Sequence, residues 1–423
     1  MLIEFGVENF RSLRDHQSLS MVRSSHKEMI DSNTFQPEGS KSLGLLRSAA
    51  IYGPNAGGKS NLLRALQTMQ RIVVESASKW QRGDQLPIVP FRLDAACRDK
   101  PSLFEVSFIV DTVRYQYGFT ATAQQVHDEW LLAYPKGRAQ RWFERRWNAK
   151  NQSHEWEMGN MLTGERQLWQ RSTRDNALFL STAVQLNSTQ LKPLFDWFQW
   201  VLRLTGLGGW SPDFTASLHN TEHKQRVIDF LQAADFDIVD FSAEAVPFNP
   251  STLPPELPPE QKSLLIDHMK DKETLTINTM HQDTDGNPVA FDLREESDGT
   301  KKLFAYAGPW IASLERGYVL FIDELHDNLH PKLVRFLVEL FHSPEGNPKN
   351  AQLIFTTHDT SILTQEVFRR DQIWFCEKGK EQASTLYPLT DFSPRKNREN
   401  LEMAYLSGRY GALPFVRELK KTS

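Results

Sequence analysis

The sequence predicts an α/β fold: a mixed sheet built around a phosphate loop, an N-terminal antiparallel sheet beside it, and an inserted helical lobe. Three observations predict it. A Gly-rich loop with a lysine and serine at its end follows a short apolar strand, a second apolar strand ends in two carboxylates, and the chain opens with alternating apolar and polar residues.

From Leu2 to Phe10 successive side chains alternate in polarity, as they must when one face of an extended chain is buried and the other wet. Arg11 to Asp15 reads as a turn into a second extended piece. Residues 23–47 are rich in Ser, Lys, Glu and Gly without a period, which predicts a mobile loop. Ser48 to Tyr52 is then a short buried strand. It delivers the chain to Gly53-Pro54-Asn55-Ala56-Gly57-Gly58-Lys59-Ser60, which fills G-x-x-x-x-G-K-[ST] at every fixed position. The glycines permit the φ values a loop needs to wrap an anion with its N–H groups. Lys59 is placed to neutralise β- and γ-phosphates, Ser60 to offer its hydroxyl to Mg²⁺, and the helix running on through Asn61 aims its positive end at the same charge. The prediction is a nucleotide site.

Phe104 to Val110 and Arg114 to Phe119 read as strands paired around Asp111-Thr112, extending the N-terminal sheet. Between Lys136 and Met158, Arg138, Arg141, Arg145 and Arg146 interleave with Trp142, Phe143 and Trp147. Such a strip could hold a nucleic-acid strand by charge and stacking, or form an exposed hairpin whose arginines cover apolar neighbours, the commoner arrangement. Asn176 to Ser181 is strand-like, helical spacing dominates from Leu191 to Leu204 and from Thr221 to Phe236, and prolines from Pro247 to Pro259 mark a stiff linker. Thr274 to His281 and Pro288 to Leu293 form an expected hairpin around Asp285-Gly286, and a helix-like run follows from Leu303 to Leu314. The expected division is 1–135 and 294–423 as the two parts of one nucleotide-binding domain, with 136–293 as hairpin and inserted lobe. No heptad pattern persists and no repeat is visible, so a long coiled-coil arm is not expected.

Tyr318 to Ile322 is apolar enough for a strand buried on both faces, and Asp323-Glu324 then stands where ligands bind in parallel sheets. Asp323 is assigned to the Mg²⁺ shell. Glu324 is assigned as general base on the attacking water. His326, Asp327 and His330 follow in a tight loop, without a metal-ligand spacing. Gln352 to Asp359 is another buried strand, ending at His358 in the order expected of a phosphate sensor. Two further strands, Gln372 to Cys376 and Ser384 to Tyr387, precede a helix from Asn397 to Leu406 that closes at Gly408.

With 423 residues, 39% of them hydrophobic and a net charge of −4, the chain has ordinary globular composition and no whole-molecule basic field. Cys97 and Cys376 match no metal spacing, no apolar run reaches the ~18 residues of a membrane span, and the N-terminus has no signal-peptide layout. A cytoplasmic protein without membrane contact is expected.

The ordered set of phosphate loop, Ser297-Asp298-Gly299-Thr300, strand ending Asp323-Glu324 and strand ending Thr356-Thr357-His358-Asp359 resembles the ABC-type ATPase heads of the structural-maintenance-of-chromosomes (SMC), RecF and OLD superfamily. More narrowly, Glu8-Asn9-Phe10-Arg11-Ser12-Leu13, Asp323-Glu324-Leu325-His326 with Leu329-His330-Pro331, and Tyr405-Leu406-Ser407-Gly408-Arg409-Tyr410-Gly411 look like the stand-alone RloA/AbiL-type ATPases of bacterial anti-phage, abortive-infection loci. The resemblance implies an ATPase using ATP and Mg²⁺, in a homodimer or higher even-numbered oligomer whose partner chains complete each site. Ser297, Asp298, Gly299 and Thr300 would then act in trans, departing at Asp298 and Thr300 from the transporter signature L-S-G-G-Q. Asp298, an acid beside a phosphate, is expected to point away or to pair with Lys301 or Arg294. Gln185 is the implied loop glutamine that senses Mg²⁺, and Arg11 an added phosphate contact. Two functions follow from the likeness. One is a nucleotide-gated switch that senses infection and controls a separate toxic effector, a nuclease or toxin, with DNA or a phage component as trigger; the other is a RecF- or SMC-like ATPase acting on DNA in repair. A fused nuclease is not expected, because the chain after His358 offers no acidic cluster to hold catalytic metals.

Overall fold

The alternation at the N-terminus becomes β1 (Leu2–Glu8), with Leu2, Phe5 and Val7 fully buried, followed by β2 (Gln17–Ser20). The computed structural model describes residues 1–39, 42–205, 209–250, 257–269, 273–395 and 399–414. Within them the segment 23–47, expected to be mobile, is tied down instead. It holds the two-residue strands β3 (Thr34–Phe35) and β4 (Leu45–Leu46), and Ser24 donates from its backbone N–H and its hydroxyl to Asp371 Oδ2 at 2.7 and 2.6 Å. Its anchor lies 347 positions away in sequence, so local composition could not reveal it.

β5 (Ser48–Tyr52) is buried along its whole length and runs through the phosphate loop into α1 (Lys59–Glu75), which buries Leu62, Leu66, Met69 and Val73 on one stripe. The strands β6 (Ser102–Val110), β7 (Val113–Ala121), β8 (Val126–Tyr134), β9 (Gln140–Asn148) and β10 (Ser153–Met158) then form a meander. With β1 and β2 they make a seven-stranded antiparallel sheet of order β10-β9-β8-β7-β6-β1-β2. The hairpin at 136–158, grouped by sequence with the insertion, is thus the edge of this sheet. Three of its four arginines are paired: Arg145 is wholly buried 3.1 Å from Glu129, Arg141 lies 3.0 Å from Glu144 and also meets Glu157, and Arg146 lies 2.5 Å from Glu144. Trp142 and Phe143 face inward. The stretch is thus a hairpin whose arginines pair with neighbouring glutamates at 141, 145 and 146.

Asn176 to Ser181 is not a strand. The helix α2 (Phe179–Gln185) starts there, because both oxygens of Glu129 accept from its first N–H groups, Phe179 N at 2.7 Å and Leu180 N at 3.1 Å. The helical pattern at 191–204 resolves into a short helix, a π turn over Trp197–Val201, and the strand β11 (Leu202–Leu204).

The chain forms two units, one of residues 1–207, 313–327 and 334–423 and a smaller one of 208–312 and 328–333. In the smaller unit lie α3 (Lys224–Ala233), β12 (Asp240–Pro247), α4 (Pro259–Met269), β13 (Glu273–Gln282), β14 (Pro288–Asp292) and most of α5 (Asp298–Arg316). The lobe is therefore not purely helical: β12, β13 and β14 form an antiparallel sheet, including the hairpin expected around Asp285-Gly286. Of the proline-rich linker, Pro254 and Pro255 lie outside the described residues. Pro309 inside α5 removes the donor that Ala305 O would have used; Thr215 Oγ1 donates to that carbonyl at 3.4 Å and accepts from Gly308 N at 3.0 Å.

Back in the larger unit, β15 (Val319–Ile322) leads to α6 (Pro331–His342), and then follow β16 (Gln352–Thr356), β17 (Ile373–Lys378), β18 (Ser384–Pro388) and α7 (Leu401–Leu406). The second sheet has the order β11-β15-β16-β5-β17-β18, parallel except for β18, so it is mixed as expected. One join to the first sheet is a buried glutamine. Gln352 Oε1 accepts from Leu2 N at 2.6 Å while its Nε2 donates to Leu2 O at 3.0 Å and Leu46 O at 3.2 Å, imitating a strand's backbone pairing. No helix among the described residues is long and apolar enough to cross a membrane.

Glu129 and Arg145 are both 0% exposed, and Tyr117 Oη also donates to Glu129 at 2.9 Å. Glu129→Ala should therefore cost about 3–5 kcal/mol, because it strands a buried guanidinium and uncaps α2 at once. Chemical denaturation followed by circular dichroism checks this; a loss no larger than that of a surface substitution would contradict it.

Candidate nucleotide-binding site

The loop between β5 and α1 takes its shape from glycine where the backbone demands it. Gly53 has φ 150° and Gly58 φ 115°; a Cβ on Gly53 would lie 2.1 Å from Cys376 O, and one on Gly58 2.1 Å from Ser384 Oγ. Neighbouring strands thus press against the loop from behind. Gly57 N donates to Pro54 O at 3.0 Å and closes the turn, leaving Asn55 and Ala56 exposed at its tip. Lys59 is 5% exposed and donates to Gly53 O at 2.7 Å and Pro54 O at 3.1 Å. Asn61 Nδ2 donates to Ser12 Oγ at 2.7 Å, and Ser384 Oγ donates to the same oxygen at 2.8 Å, which fastens the start of α1 to the N-terminal turn and to β18.

The strand order places the remaining chemistry. β16 lies between β15 and β5, so the residues after β16 reach both the carboxylates after β15 and the loop after β5. Thr356 Oγ1 donates to Asp323 Oδ1 at 2.6 Å and accepts from Glu324 N at 2.8 Å. Glu324 sits at φ 51°, a conformation that non-glycine residues rarely hold without compensation, and its Oε1 lies 3.8 Å from His358 Nε2. Lys59 Nζ is 3.1 Å from that same His358 nitrogen. An ammonium can only donate, so His358 Nε2 is the acceptor and carries no proton. Burial, with Lys59 adding to it, pushes the imidazole down to about 4, and His358 is neutral at pH 7. Burial also lowers the Lys59 ammonium, against the opposing pull of Cys376, Glu324 and Asp323.

Lys59, Asp323, Glu324 and His358 therefore converge. Thr356, which sequence reasoning did not single out, joins them; a threonine two positions before the strand-end histidine was the available signal. Ser60 is half-buried at the first turn of α1. Gln185 is exposed at the end of α2, and among the described residues no hydrogen bond links it to Ser60 or Asp323. Arg11 is exposed at φ 52°, its guanidinium 5.6 Å from the Phe10 ring centroid, and burial together with the charges of Arg64 and Arg92 lowers its pKa.

Ser297 to Thr300 belong to the smaller unit. Ser297 caps α5: its Oγ accepts from Thr300 N at 3.1 Å and lies 2.7 Å from Thr300 Oγ1. Asp298 is turned to solvent 3.5 Å from Lys301, whereas Arg294 pairs with Asp292 at 2.5 Å. A Cβ on Gly299 would come within 3.2 Å of Asn328 O.

A protein-family profile described as "AAA domain, putative AbiEii toxin, Type IV TA system" matches residues 48–364, well over half of the 423. No curated protein matches the chain. Among solved structures, the SMC head domain from Thermotoga maritima is 13% identical, with 92% of this chain and 98% of that chain covered at a TM-score of 0.38. An SmcHead bound to the C-winged helix domain of ScpA is 12% identical, with 92% and 97% covered at 0.37. An Smc head domain with an extended coiled coil, bound to the C-terminal domain of ScpA derived from Pyrococcus furiosus, is 13% identical, with 92% and 96% covered at 0.39.

If Lys59 is the charge that faces the phosphates, Lys59→Ala should abolish measurable binding of a fluorescent ATP analogue while leaving the melting temperature near that of the wild type. Unchanged affinity in equilibrium titration would remove the site assignment.

Proposed function

Because the chain belongs to the AAA-domain family whose profile it matches over residues 48–364, we propose that it binds and hydrolyses ATP as a nucleotide-gated dimeric switch. One observation carries this reading: Lys59, Asp323, Glu324 and His358 meet at the adjacent ends of β5, β15 and β16, held by Thr356. Lys59 would face the β- and γ-phosphates. Ser60 and Asp323 would hold Mg²⁺, with Gln185 from α2 proposed as a further contact, and the bound ion would supply neutralisation of the phosphate charge. Glu324 would take a proton from water as its oxygen bonds to the γ-phosphorus and the bond to the β–γ bridging oxygen breaks, giving ADP and phosphate. The neutral His358 would hydrogen-bond the γ-phosphate without adding a second buried cation.

The role in the cell is proposed from two supports. The resemblance of the N-terminal and C-terminal motifs to ATPases of abortive-infection loci is one, and the toxin–antitoxin wording of the family description is the other. The first favours a regulator acting with a separate effector in anti-phage defence, and the second associates the family with a toxin–antitoxin system. The alternative, an ATPase acting on DNA, gains no support from Arg141, Arg145 and Arg146, which are paired with Glu157, Glu129 and Glu144.

Glu324→Gln should keep nucleotide affinity but slow turnover by about 10²-fold or more, since the amide cannot take the proton. Phosphate release in steady state checks this; normal hydrolysis would show that another group is the base.

Assembly gives a second test. Ser297, Gly299 and Thr300 are proposed to meet the γ-phosphate held by a partner chain, so Ser297→Arg should stop turnover while sparing binding by its own phosphate loop. Mixing Ser297→Arg with Lys59→Ala puts both lesions in one composite site of a mixed dimer and leaves the other intact. Activity should partly return. Full activity of a strictly monomeric Ser297→Arg protein would refute shared sites.

A further inference from the structure

The signature segment is anchored by a side chain that neither the motif nor the family description assigns. Between buried Leu293 and buried Thr300 the chain exposes Arg294, Glu295, Ser297 and Asp298, and Glu296 alone of the charged residues in that stretch is turned inward. Its Oε1 accepts from Thr279 Oγ1 and from His281 Nε2, each at 2.6 Å. Both donors stand on β13, two residues apart and so on one face of the strand. His281 is held in turn by edge contact with Phe291 on β14, ring centroids 5.1 Å apart. On the backbone side, Asp292 accepts from Arg294 N at 2.8 Å while Glu295 accepts from Asp292 N at 3.0 Å, and Glu296 N donates to Leu293 O at 3.2 Å.

We propose that Glu296 is a positioning residue for the signature: its clamp on Thr279 and His281 fixes the start of α5, and with it the place of Ser297 and Gly299, to the β13–β14 hairpin. This rests on the reading of Ser297 to Thr300 as the contact to a partner's γ-phosphate. The physical ground is the mismatch between what the segment must do and what otherwise holds it. Ser297 is exposed, as a contact made in trans requires, and an exposed turn has little packing to define its position. Short hydrogen bonds to a carboxylate are among the stronger, more directional constraints available. One placed on the residue next to Ser297 supplies the definition without covering the serine. It also makes the hairpin and the signature move as one body, so that displacement of β13 would displace Ser297.

The test uses the full-length protein and reads three quantities for each variant: steady-state ATP turnover, affinity for a fluorescent ATP analogue, and melting temperature. Glu296→Ala should lower turnover roughly 10- to 100-fold, the range for a misplaced catalytic contact, with affinity and melting temperature close to wild type. Glu296→Gln, which keeps an acceptor oxygen, should recover most of the rate. Thr279→Val, which removes one donor with little change of shape, should fall between them. Wild-type turnover in Glu296→Ala, while Ser297→Arg is inactive, would overturn the clamp and leave the signature reading standing. Normal turnover in Ser297→Arg would overturn both. Should Glu296→Ala and Thr279→Val lose affinity and melting temperature in step with rate, Glu296 is structural and the positioning role is refuted.

Discussion

The site depends on one hydroxyl. Thr356 Oγ1 has a single proton, and it spends it on Asp323 Oδ1, so it meets the Glu324 N–H as an acceptor. That assignment of donor and acceptor ties two consecutive carboxylate residues to the strand between them and the phosphate loop. The backbone repeats the constraint, since Leu325 N donates to Thr356 O at 3.1 Å and Thr357 N donates to Ile51 O at 3.1 Å. Three strand ends are thereby held in register. The left-handed backbone of Glu324 costs on the order of 1–3 kcal/mol in isolation, and it persists because its N–H is captured at that angle. What the strain achieves is direction: the Glu324 carboxylate is brought to within 3.8 Å of His358.

Charge in the site follows from burial. Lys59 lies nearly out of water between two backbone carbonyls, and a second buried cation beside it would be strongly disfavoured. Burial of the imidazole itself, with Lys59 adding to it, keeps His358 neutral down to about pH 4. A neutral ring can accept from Lys59 through one nitrogen and donate through the other, so it can report on the position of the lysine or of a phosphate without changing the charge of the site. Below the loop, burial takes the imidazole of His342 down to about 3, and this neutral ring lies 2.8 Å from Ser48 Oγ at the start of β5. The strand that carries the phosphate loop therefore rests on uncharged hydrogen bonds.

What could be read from sequence was what is contiguous. Residues 48–60, 318–324 and 352–359 each combine an apolar strand with its reactive end within one short contiguous stretch, and period and motif reveal both. The structure brings their ends together, and the order of β15, β16 and β5 is the step that no local pattern contains. Elements stabilised by distant partners were read poorly for the same reason. Asn176 to Ser181 looks extended until Glu129 supplies acceptors for the first N–H groups of α2; residues 23–47 look mobile until Asp371 binds Ser24; and β12 has its pattern completed only by pairing with β13. The arginine-aromatic stretch misleads differently. Arg145 is a charged residue at a core position, and the buried glutamate that permits this is on another strand.

The departures of the signature from the transporter pattern have a chemical consequence at Thr300. Ser297 Oγ already accepts from Thr300 N as the cap of α5, so its usefulness to an incoming oxygen rests on its one proton. In a cap followed only by glycines, turning that proton outward would leave the serine oxygen with the backbone donor alone. Here Thr300 Oγ1 lies 2.7 Å away and can reverse roles, accepting the Ser297 proton at rest and donating its own when Ser297 turns to a ligand. Thr300 is itself 6% exposed, so water competes little for its hydroxyl. Asp298, turned to solvent near Lys301, stays clear of that exchange. Ser297 and Thr300 thus form one hydrogen-bonding unit in which either hydroxyl can donate, and under the proposed contact in trans the threonine that departs from the transporter pattern would let the serine keep its cap while it donates.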